Sequence, residues 1–216
     1  MARHAGQTSA TTEEPTVLLV DDDEQFRESM AALFNSVGFN VKLFGSAAEL
    51  LESKLPNAVS CIVLDVRLPR HSGLDLHTDL AKANISIPVI FVTGHGDIPM
   101  TVRAMKAGAV DFLAKPVREQ DLLDAVTKGF ERDRMRREAE RRLADLRSRF
   151  QALTRREREV MALVTTGLMN KQIASQLDVT EVTVKTHRGQ AMRKMGARSL
   201  ADLVKMAEAL EMKPPS

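Results

Sequence analysis

The chain has 216 residues, of which 44% are hydrophobic and 28% are charged, as in an ordinary globular protein. Its apolar runs are far shorter than the roughly 18–20 residues that a membrane-spanning helix needs. Residues 1–15 are polar and lack the apolar core of a signal peptide, so we expect a disordered tail on a cytoplasmic protein with no membrane partner. A single cysteine, Cys61, excludes an internal disulfide and a cysteine-based zinc site.

The net charge of +2 is divided unevenly along the chain. Residues 1–128 contain 12 Lys and Arg against 17 Asp and Glu, whereas residues 129–216 contain 19 against 12. Such asymmetry favours two domains with different partners, and a basic half often contacts nucleic acid. The first domain is predicted to begin at residue 16, after the tail.

Residues 16–128 alternate between short apolar runs and amphipathic segments. The helical segments are bounded by start and stop signals such as the capping box Ser46-x-x-Glu49 and the glycines Gly38 and Gly108. Five strands alternating with five helices predict an α/β fold with a doubly wound, five-stranded parallel sheet. The predicted strands are 16–20, 39–44, a run ending at Asp65, 88–93 and 110–114, and the helices after the last two begin at Asp97 and near Glu119.

Polar side chains follow four of the predicted strands at their carboxyl ends. Asp21 and Asp22 follow the first strand, Asp65 ends the third, Thr93 ends the fourth and Lys115 follows the fifth. Carboxylates brought together at one sheet edge repel each other unless a cation neutralises them, and oxygen ligands favour Mg²⁺. With an ammonium and a hydroxyl beside them, these groups predict Mg²⁺-dependent phosphoryl transfer to a carboxylate nucleophile.

Four motifs around these residues occur in a characteristic order: V-D-D-D, L-D-V-R-L-P, V-T-G-H-G-D and D-F-L-A-K-P. In this order and spacing they resemble the receiver domain of two-component response regulators, which has a flavodoxin-like fold, over residues 16–128. The resemblance implies that Asp65 accepts a phosphoryl group from the phosphohistidine of a sensor histidine kinase. It also implies that the domain catalyses only its own phosphorylation and dephosphorylation and is otherwise not an enzyme.

The same resemblance implies the roles of the other site residues. Mg²⁺ would be held by Asp21, Asp22, Asp65 and the backbone carbonyl of Arg67. Thr93 and Lys115 would bind the phosphoryl group, Phe112 would be the aromatic switch that turns inward, and Arg67 and His95 occupy positions that tune the lifetime of the phosphoryl group. Without the resemblance, Thr93 is also compatible with a plain strand end and Phe112 with an ordinary core residue. His95, in a Gly-x-Gly loop, then suits a solvated loop residue better than a catalytic one.

Residues 129–149 are predicted to form a helical linker. No proline occurs between residues 119 and 153, and apolar residues recur at steps of three and four. This spacing approximates a short coiled-coil seam that pairs in a dimer, but it also suits a solvated charged helix, and both interpretations stay open. The residues of the seam are Met135, Ala139, Leu143, Leu146, Phe150 and Leu153.

Residues 150–212 are predicted to form a small all-α domain of four short helices. The capping boxes Thr154-x-x-Glu157 and Ser199-x-x-Asp202 open the first and last helix, and a tight turn at Asp178 precedes the third. This arrangement indicates a helix-turn-helix, with a plain helical bundle as the alternative. Helical phase places small, polar and basic residues opposite the apolar face of the third helix, and Lys171 at the start of the second helix suits a phosphate contact. The candidate DNA-binding residues are Lys171, Thr183, Lys185, Thr186, Gly189, Gln190 and Arg193.

The motifs L-T-R-R-E-R-E-V, N-K-Q-I-A, T-V-K-T-H-R and K-M-G resemble the LuxR-type DNA-binding domain over residues 150–210. A receiver followed by this module resembles the FixJ/NarL class of transcription regulators. The resemblance implies that phosphorylation promotes a homodimer that binds double-stranded promoter DNA, with RNA polymerase as a further partner. Gly189 departs from the basic residue of some relatives, which puts one base contact in doubt.

Two other functions were weighed against this one. A phosphatase of the haloacid dehalogenase type also forms an aspartyl phosphate, but its D-x-D-x-T motif would need a threonine at the position of Gln25, and no inserted cap is present. A protein-binding adaptor would require the helix-turn-helix face to lack affinity for DNA. A measurement of DNA binding by residues 150–212 would therefore distinguish the adaptor hypothesis from the transcription-regulator hypothesis.

Overall fold

A computed structural model describes residues 14–94 and 98–212 of the chain. Most of the predicted tail, together with His95 and the predicted helix start at Asp97, lies outside these residues. The chain divides into two compact units, the first ending at Arg137 and the second beginning at Glu138. Within the described ranges, no helix is long and apolar enough to cross a membrane.

The first unit is a five-stranded parallel sheet with the strand order β2-β1-β3-β4-β5, which confirms the predicted fold class. The element bounds lie close to those predicted from the sequence. The strands are β1 Thr16–Val20, β2 Asn40–Phe44, β3 Ser60–Asp65, β4 Val89–Thr93 and β5 Asp111–Ala114, and the helices are α1 Glu24–Ser36, α2 Ala47–Glu52, α3 Gly73–Lys82, α4 Ile98–Lys106 and α5 Glu119–Gln151.

The central strands β1, β3 and β4 are buried along their whole length. Alternate residues point to opposite faces, so Leu18 and Ile62 belong to one hydrophobic core, whereas Val17, Cys61 and Val63 belong to the other. Burial on both faces explains why these strands read as continuous apolar runs. It also leaves the carboxyl ends of the strands as the place where polar side chains accumulate.

The loop after β3 is held tightly against the strand end. The backbone N–H of Gly73, the first residue of α3, donates to the carbonyl of Val66 at 2.9 Å. A Cβ atom added to Gly73 would lie 2.2 Å from the carbonyl oxygen of Asp65, so only glycine fits without moving the backbone. This close approach fixes the position of the strand end that presents Asp65.

Packing of α5 on the sheet continues past residue 128. Gly129 lies directly over β3, where an added Cβ would come within 2.9 Å of the Cβ of Cys61. Asp133 is fully buried and accepts a hydrogen bond from the backbone N–H of Ser60 at 2.9 Å. Its two carboxylate oxygens also accept from Arg136 and Arg137, each at 2.6 Å. One buried carboxylate thus ties the helix to the start of β3.

The second unit contains α6 Arg155–Val164, α7 Asn170–Leu177, α8 Glu181–Met195 and α9 Leu200–Ala209, as the sequence predicts. Asp178, in the turn between α7 and α8, adopts the left-handed conformation with φ of 52°. The helices share one hydrophobic core, which includes Met161, Ile173 and Val184. Four helices with this turn form the predicted small all-α domain.

Half of the predicted seam has an intramolecular role. Leu153 is buried in the core of the second unit, and Leu146 and Phe150 pack against that core. Met135, by contrast, is 66% exposed. The linker therefore does not offer the full six-residue seam to a partner helix.

The three predicted capping boxes differ in detail. At Thr154 both reciprocal hydrogen bonds form, because Glu157 accepts from the backbone N–H of Thr154 at 2.7 Å and Thr154 accepts from that of Glu157 at 3.3 Å. At the two serine caps, the serine hydroxyl accepts a hydrogen bond from the backbone N–H three residues later, as predicted. The carboxylate, however, accepts from the backbone N–H of the residue before the serine and not from that of the serine itself. Glu49 accepts from Gly45 and Asp202 from Arg198, so the strict capping-box prediction is wrong at both serines.

Candidate functional sites

An acidic cluster lies at the carboxyl edge of the sheet. Asp21 and Asp22 follow β1 and Asp65 ends β3, and one carboxylate oxygen from each lies within 4.8 Å of the others. Asp21 is 1% exposed and Asp65 is 7% exposed, whereas Asp22 is exposed to solvent. The structure therefore brings together the three carboxylates that the sequence proposed as metal ligands.

Lys115 reaches this cluster from the end of β5. Its Nζ lies 2.6 Å from Oδ2 of Asp21 and 3.0 Å from Oδ2 of Asp65. The ammonium group also lies over the ring of Phe26, 4.1 Å from the centroid. This contact is a cation–π interaction that holds the ammonium group on a third side.

The charges of the cluster shift two pKa values. Burial, opposed in part by Lys115 and the backbone N–H of Asp23 and assisted by the charge of Asp65, raises the pKa of Asp21 above its ordinary value. Burial lowers the pKa of Lys115, but hydrogen bonds and charge interactions with Asp21 and Asp65 outweigh it, and the net pKa is raised. Because Lys115 pairs with two of the three carboxylates, the cluster keeps negative charge for a further cation.

The donor set suits a magnesium ion. Three carboxylates at this spacing supply the oxygen ligands that Mg²⁺ prefers, and the exposure of Asp22 leaves room for water in the remaining positions. One oxygen of Asp65, Oδ1, accepts from the backbone N–H of Arg67 at 2.9 Å, which orients the carboxylate. The assignment of the Arg67 carbonyl as a further ligand stays a prediction.

The two remaining receiver positions lie on neighbouring strands. Thr93 ends β4 one residue beyond Val92, which pairs with Asp65, and it is fully buried. Its carbonyl accepts from the backbone N–H of Lys115 at 2.8 Å. Phe112 on β5 is partly buried and packs on the core beside Phe91, with ring centroids 6.3 Å apart. Their roles in phosphoryl binding and switching stay predictions, and so does that of His95.

Two residues of α1 join the site although the sequence did not predict them there. Phe26 supplies the ring under the ammonium of Lys115, and Nη1 of Arg27 donates to the carbonyl of Asp21 at 2.6 Å. Both residues lie in the first turn of a helix that begins three residues after β1. A helix starting so soon after Asp21 returns its first turn to the cluster, which is the signal that could have identified them.

The predicted DNA-binding face of α8 is open to solvent. Lys185, Thr186, Gly189 and Arg193 are exposed and Thr183 and Gln190 are partly buried, whereas Val184, Ala191 and Met195 are buried in the core. Lys171, the second residue of α7, is also exposed. The helical phase deduced from the sequence agrees with this distribution.

Two observations refine this face. Over the described residues, a Cβ built on Gly189 would meet no atom within 4 Å beyond its chain neighbours and the adjoining backbone of α8, so the helix backbone is accessible there. Arg188 donates to Oδ1 of Asn170 at the start of α7, at 3.4 Å, and is partly buried. This internal contact leaves Arg188 less available to DNA than the exposed residues of the face.

Comparison with known families gives two matches that together span most of the chain. Residues 17–127 match the response regulator receiver domain, and residues 151–207 match the bacterial regulatory proteins of the luxR family. The chain is 60% identical to Nodulation protein W of Bradyrhizobium diazoefficiens over 95% of its own length and 90% of the relative's. It is 44% identical to Transcriptional regulatory protein FixJ of Rhizobium meliloti over 90% of its length and 95% of the relative's.

Two solved structures of response regulators are also similar. The response regulator StyR superimposes with a TM-score of 0.79 at 49% identity, covering 90% of this chain and 98% of StyR. Full-length FixJ from B. japonicum gives a TM-score of 0.54 at 37% identity, covering 94% of this chain and all of FixJ. The chain is therefore a two-component response regulator, a transcription regulator that consists of a receiver domain and a LuxR-type DNA-binding domain.

Proposed function

We propose that phosphorylation of Asp65 switches this regulator into a form that pairs and binds promoter DNA. The observation that carries the proposal is the position of Asp65, whose carboxylate pairs with Lys115 and lies within 4.8 Å of the carboxylates of Asp21 and Asp22. A nucleophile in this setting has both a cation and a metal-binding acidic cluster beside it. The phosphoryl donor is the phosphohistidine of a sensor histidine kinase.

In this proposal each residue has a defined part in the transfer. Asp21, Asp22 and Asp65, with the Arg67 carbonyl, would hold Mg²⁺, which would supply positive charge to the carboxylates and the phosphoryl oxygens. A carboxylate oxygen of Asp65 forms the bond to phosphorus while the bond to the donor histidine nitrogen breaks. Lys115 balances the charge of the phosphoryl group, and the Thr93 hydroxyl donates to it.

The same site would reverse the reaction with water. Attack of water on the phosphorus restores the Asp65 carboxylate and releases inorganic phosphate. The receiver is thus expected to catalyse only its own phosphorylation and dephosphorylation. Arg67 and His95 are proposed to set the rate of the second reaction.

Pairing of two receivers is supported by an apolar stripe on α4. Ile98, Val102 and Met105 are exposed and follow one another at helical spacings of four and three residues. We place the dimer contact on this stripe, because Leu146, Phe150 and Leu153 of the predicted seam pack inside the second unit. Movement of Thr93 toward a bound phosphoryl group, followed by Phe112, would bias the adjoining α4.

A dimer would place two copies of α8 on half-sites about one turn of DNA apart. Lys185 and Thr186 would contact base edges together with the other exposed residues of the face, and Lys171 and Arg193 would contact phosphates. Such a protein acts in the cytoplasm, where promoter DNA is, with RNA polymerase as a further partner.

Labelling with a small phosphodonor tests the phosphoacceptor. Acetyl phosphate with MgCl₂ is expected to phosphorylate the full chain once, and Asp65→Asn and Asp65→Ala should abolish the labelling. Asp75→Asn removes an exposed carboxylate from the neighbouring α3 and is the matched control, which should label like the wild type. Labelling that persists in both Asp65 variants would show that the phosphoacceptor is elsewhere.

The α8 face is tested by comparing the affinity of the chain for a DNA site selected by the wild-type protein with its affinity for unrelated DNA. Lys185→Ala and Thr186→Ala are expected to reduce the preference for the selected site, with a cost of about 1–3 kcal/mol for each lost base contact. Arg193→Gln should weaken binding to both DNAs and reduce the salt dependence. Lys205→Gln on α9 is the control for loss of one exposed charge. Wild-type binding by all three α8 variants would reject this face.

A further inference from the structure

A cavity of about 370 Å³ lies in the first unit at the amino ends of β4 and β5, the edge of the sheet opposite to Asp65. Its walls come from α3, from the segment 84–88 before β4, from the end of α4 at Ala107 and Gly108, and from α5. Its volume is within the range of small-molecule sites. The proposed phosphorylation chemistry makes no use of it.

The ionisable side chains of the lining are all basic, and Asn84 and Ser86 add neutral polar groups. His77, Arg132 and Arg136 line the cavity, and none of its lining residues is acidic. Arg136 is paired with Asp133 at 2.6 Å. Arg132 donates to the carbonyl of Gly108 at 2.9 Å and, over residues 14–94 and 98–212, forms no ion pair with a carboxylate. Among these three groups, Arg132 therefore has the charge that is not neutralised.

His77, the third basic residue of the lining, contributes little positive charge. Burial, assisted by the charge of Arg132, lowers the pKa of His77, so its imidazole is neutral at pH 7. The ring packs edge-on against Phe91, with centroids 5.7 Å apart. The cavity therefore presents one net positive charge, which matches a single carboxylate better than a phosphate dianion.

Another part of the lining is apolar. Ile85, Ile87 and Pro88 line it, and Ile87 and Ile85 continue into the hydrophobic core below. From this juxtaposition we infer that the cavity binds a small organic monocarboxylate. The carboxylate contacts the guanidinium of Arg132, which pairs well with planar anions, and the apolar body of the ligand covers Ile85 and Pro88.

Such a ligand would give the receiver an input separate from phosphorylation. Arg132 donates to the carbonyl of Gly108, two residues after the end of α4, so a carboxylate bound to Arg132 is linked through that side chain to the segment between α4 and β5. Thermodynamic linkage is reciprocal. If the bound ligand changes the conformational equilibrium of α4, the conformation of α4 changes the affinity for the ligand by the same factor.

Titration of the full chain with benzoate tests the inference, with binding followed by calorimetry and by the NMR signals of His77. Saturable binding that shifts these signals is expected. Arg132→Gln should lower the affinity at least about tenfold, the usual effect of losing a charged hydrogen-bond partner. Lys128→Gln removes an exposed charge one turn earlier on α5 and should bind within about twofold of wild type.

A second variant tests the cavity itself without removing a charge. Ala81 is exposed on α3 and lines the cavity, so Ala81→Leu is expected to narrow it and weaken benzoate binding while the chain still folds. Inorganic phosphate is expected to bind at least about tenfold more weakly than benzoate. No saturable binding, equal binding by Arg132→Gln, or equal affinity for phosphate would each overturn the inference.

Discussion

The carboxylates of the acidic cluster differ in how deeply they are buried. We therefore expect their substitutions to differ in their effect on the stability of the folded protein. Asp21 is buried against Lys115 and donors of the backbone, so replacing it disturbs the folded protein as well as the site. Asp22 is exposed and takes part in the cluster through a side chain that faces solvent. Asp22 is therefore the residue at which metal binding is separable from stability.

Asp22→Asn is expected to change the free energy of unfolding of the metal-free protein by less than about 0.5 kcal/mol, as for most surface substitutions. In wild-type protein, Mg²⁺ at about 100 times its dissociation constant should add about 2.7 kcal/mol. The variant should lose most of that gain, because one of three charged oxygen ligands is gone. Urea unfolding with and without MgCl₂ measures both quantities.

Glu24→Gln is the control for this experiment, since Glu24 is an exposed acid two residues away that lies outside the cluster. It should keep the full stabilisation by Mg²⁺. If Asp22→Asn keeps it as well, the cluster is not the metal site.

Strand-end residues were predictable from the sequence, because parallel strands bring their carboxyl ends to one edge. That rule alone placed Asp21, Asp65 and Lys115 together. The burial of Asp133 was not predictable. Arginines follow it three and four residues later, and this spacing is typical of exposed ion pairs on a charged helix. Only the packing of α5 on β3, which brings the unpaired backbone N–H of Ser60 to that carboxylate, makes it a buried residue.

At the scale of elements, Asp133 determines how α5 is attached to the sheet. Asp133→Ala would leave the N–H of Ser60 and the guanidinium groups of Arg136 and Arg137 without their shared acceptor. Removing one partner of a buried charge network costs about 3 kcal/mol or more. Urea unfolding followed by circular dichroism should show this loss.

Asp124→Ala on the same helix is the matched control, since Asp124 is exposed and accepts a hydrogen bond from Gln120, one turn earlier on the helix. It should lose less than about 0.5 kcal/mol. Equal losses for the two variants would mean that the Asp133 network contributes no more than an exposed side chain of the helix.

In the second unit, Glu157 joins α6 to α8 and makes the stability of that unit dependent on pH. Burial opposes ionisation of Glu157, but hydrogen bonds from Lys194 and from Thr154, with the charge of Lys194, outweigh it and hold the pKa below the ordinary 4.5. A lowered pKa in the folded state contributes stability above pH 4.5 that is lost as the pH falls through the folded pKa.

Glu157→Gln should therefore be less stable than wild type at pH 7, by about 1 kcal/mol for exchange of charged for neutral hydrogen bonds. The difference should shrink as the pH falls below 4.5, where wild-type Glu157 also becomes neutral. Urea unfolding at a series of pH values measures it. A difference that stays constant with pH would assign the effect to packing instead.

At the scale of the whole molecule, the acidic cluster and the α8 face belong to units with separate hydrophobic cores. Pairing of receivers offers a simple route from one to the other, because two linked DNA-binding domains raise the effective concentration of the second at its half-site. Phosphorylation then needs to change only the affinity of one receiver for another. The exposed stripe of α4 is where this affinity is proposed to reside.

Val102→Glu tests that assignment, because a carboxylate in an apolar contact is costly to desolvate. With acetyl phosphate and MgCl₂, the wild type should form dimers in sedimentation experiments, whereas the variant should dimerise at least about tenfold more weakly although Asp65 is still phosphorylated. Leu51→Glu is closely matched, since Leu51 on α2 and Val102 are each 44% exposed in the same unit. If Val102→Glu dimerises as strongly as Leu51→Glu, the dimer contact is not on α4.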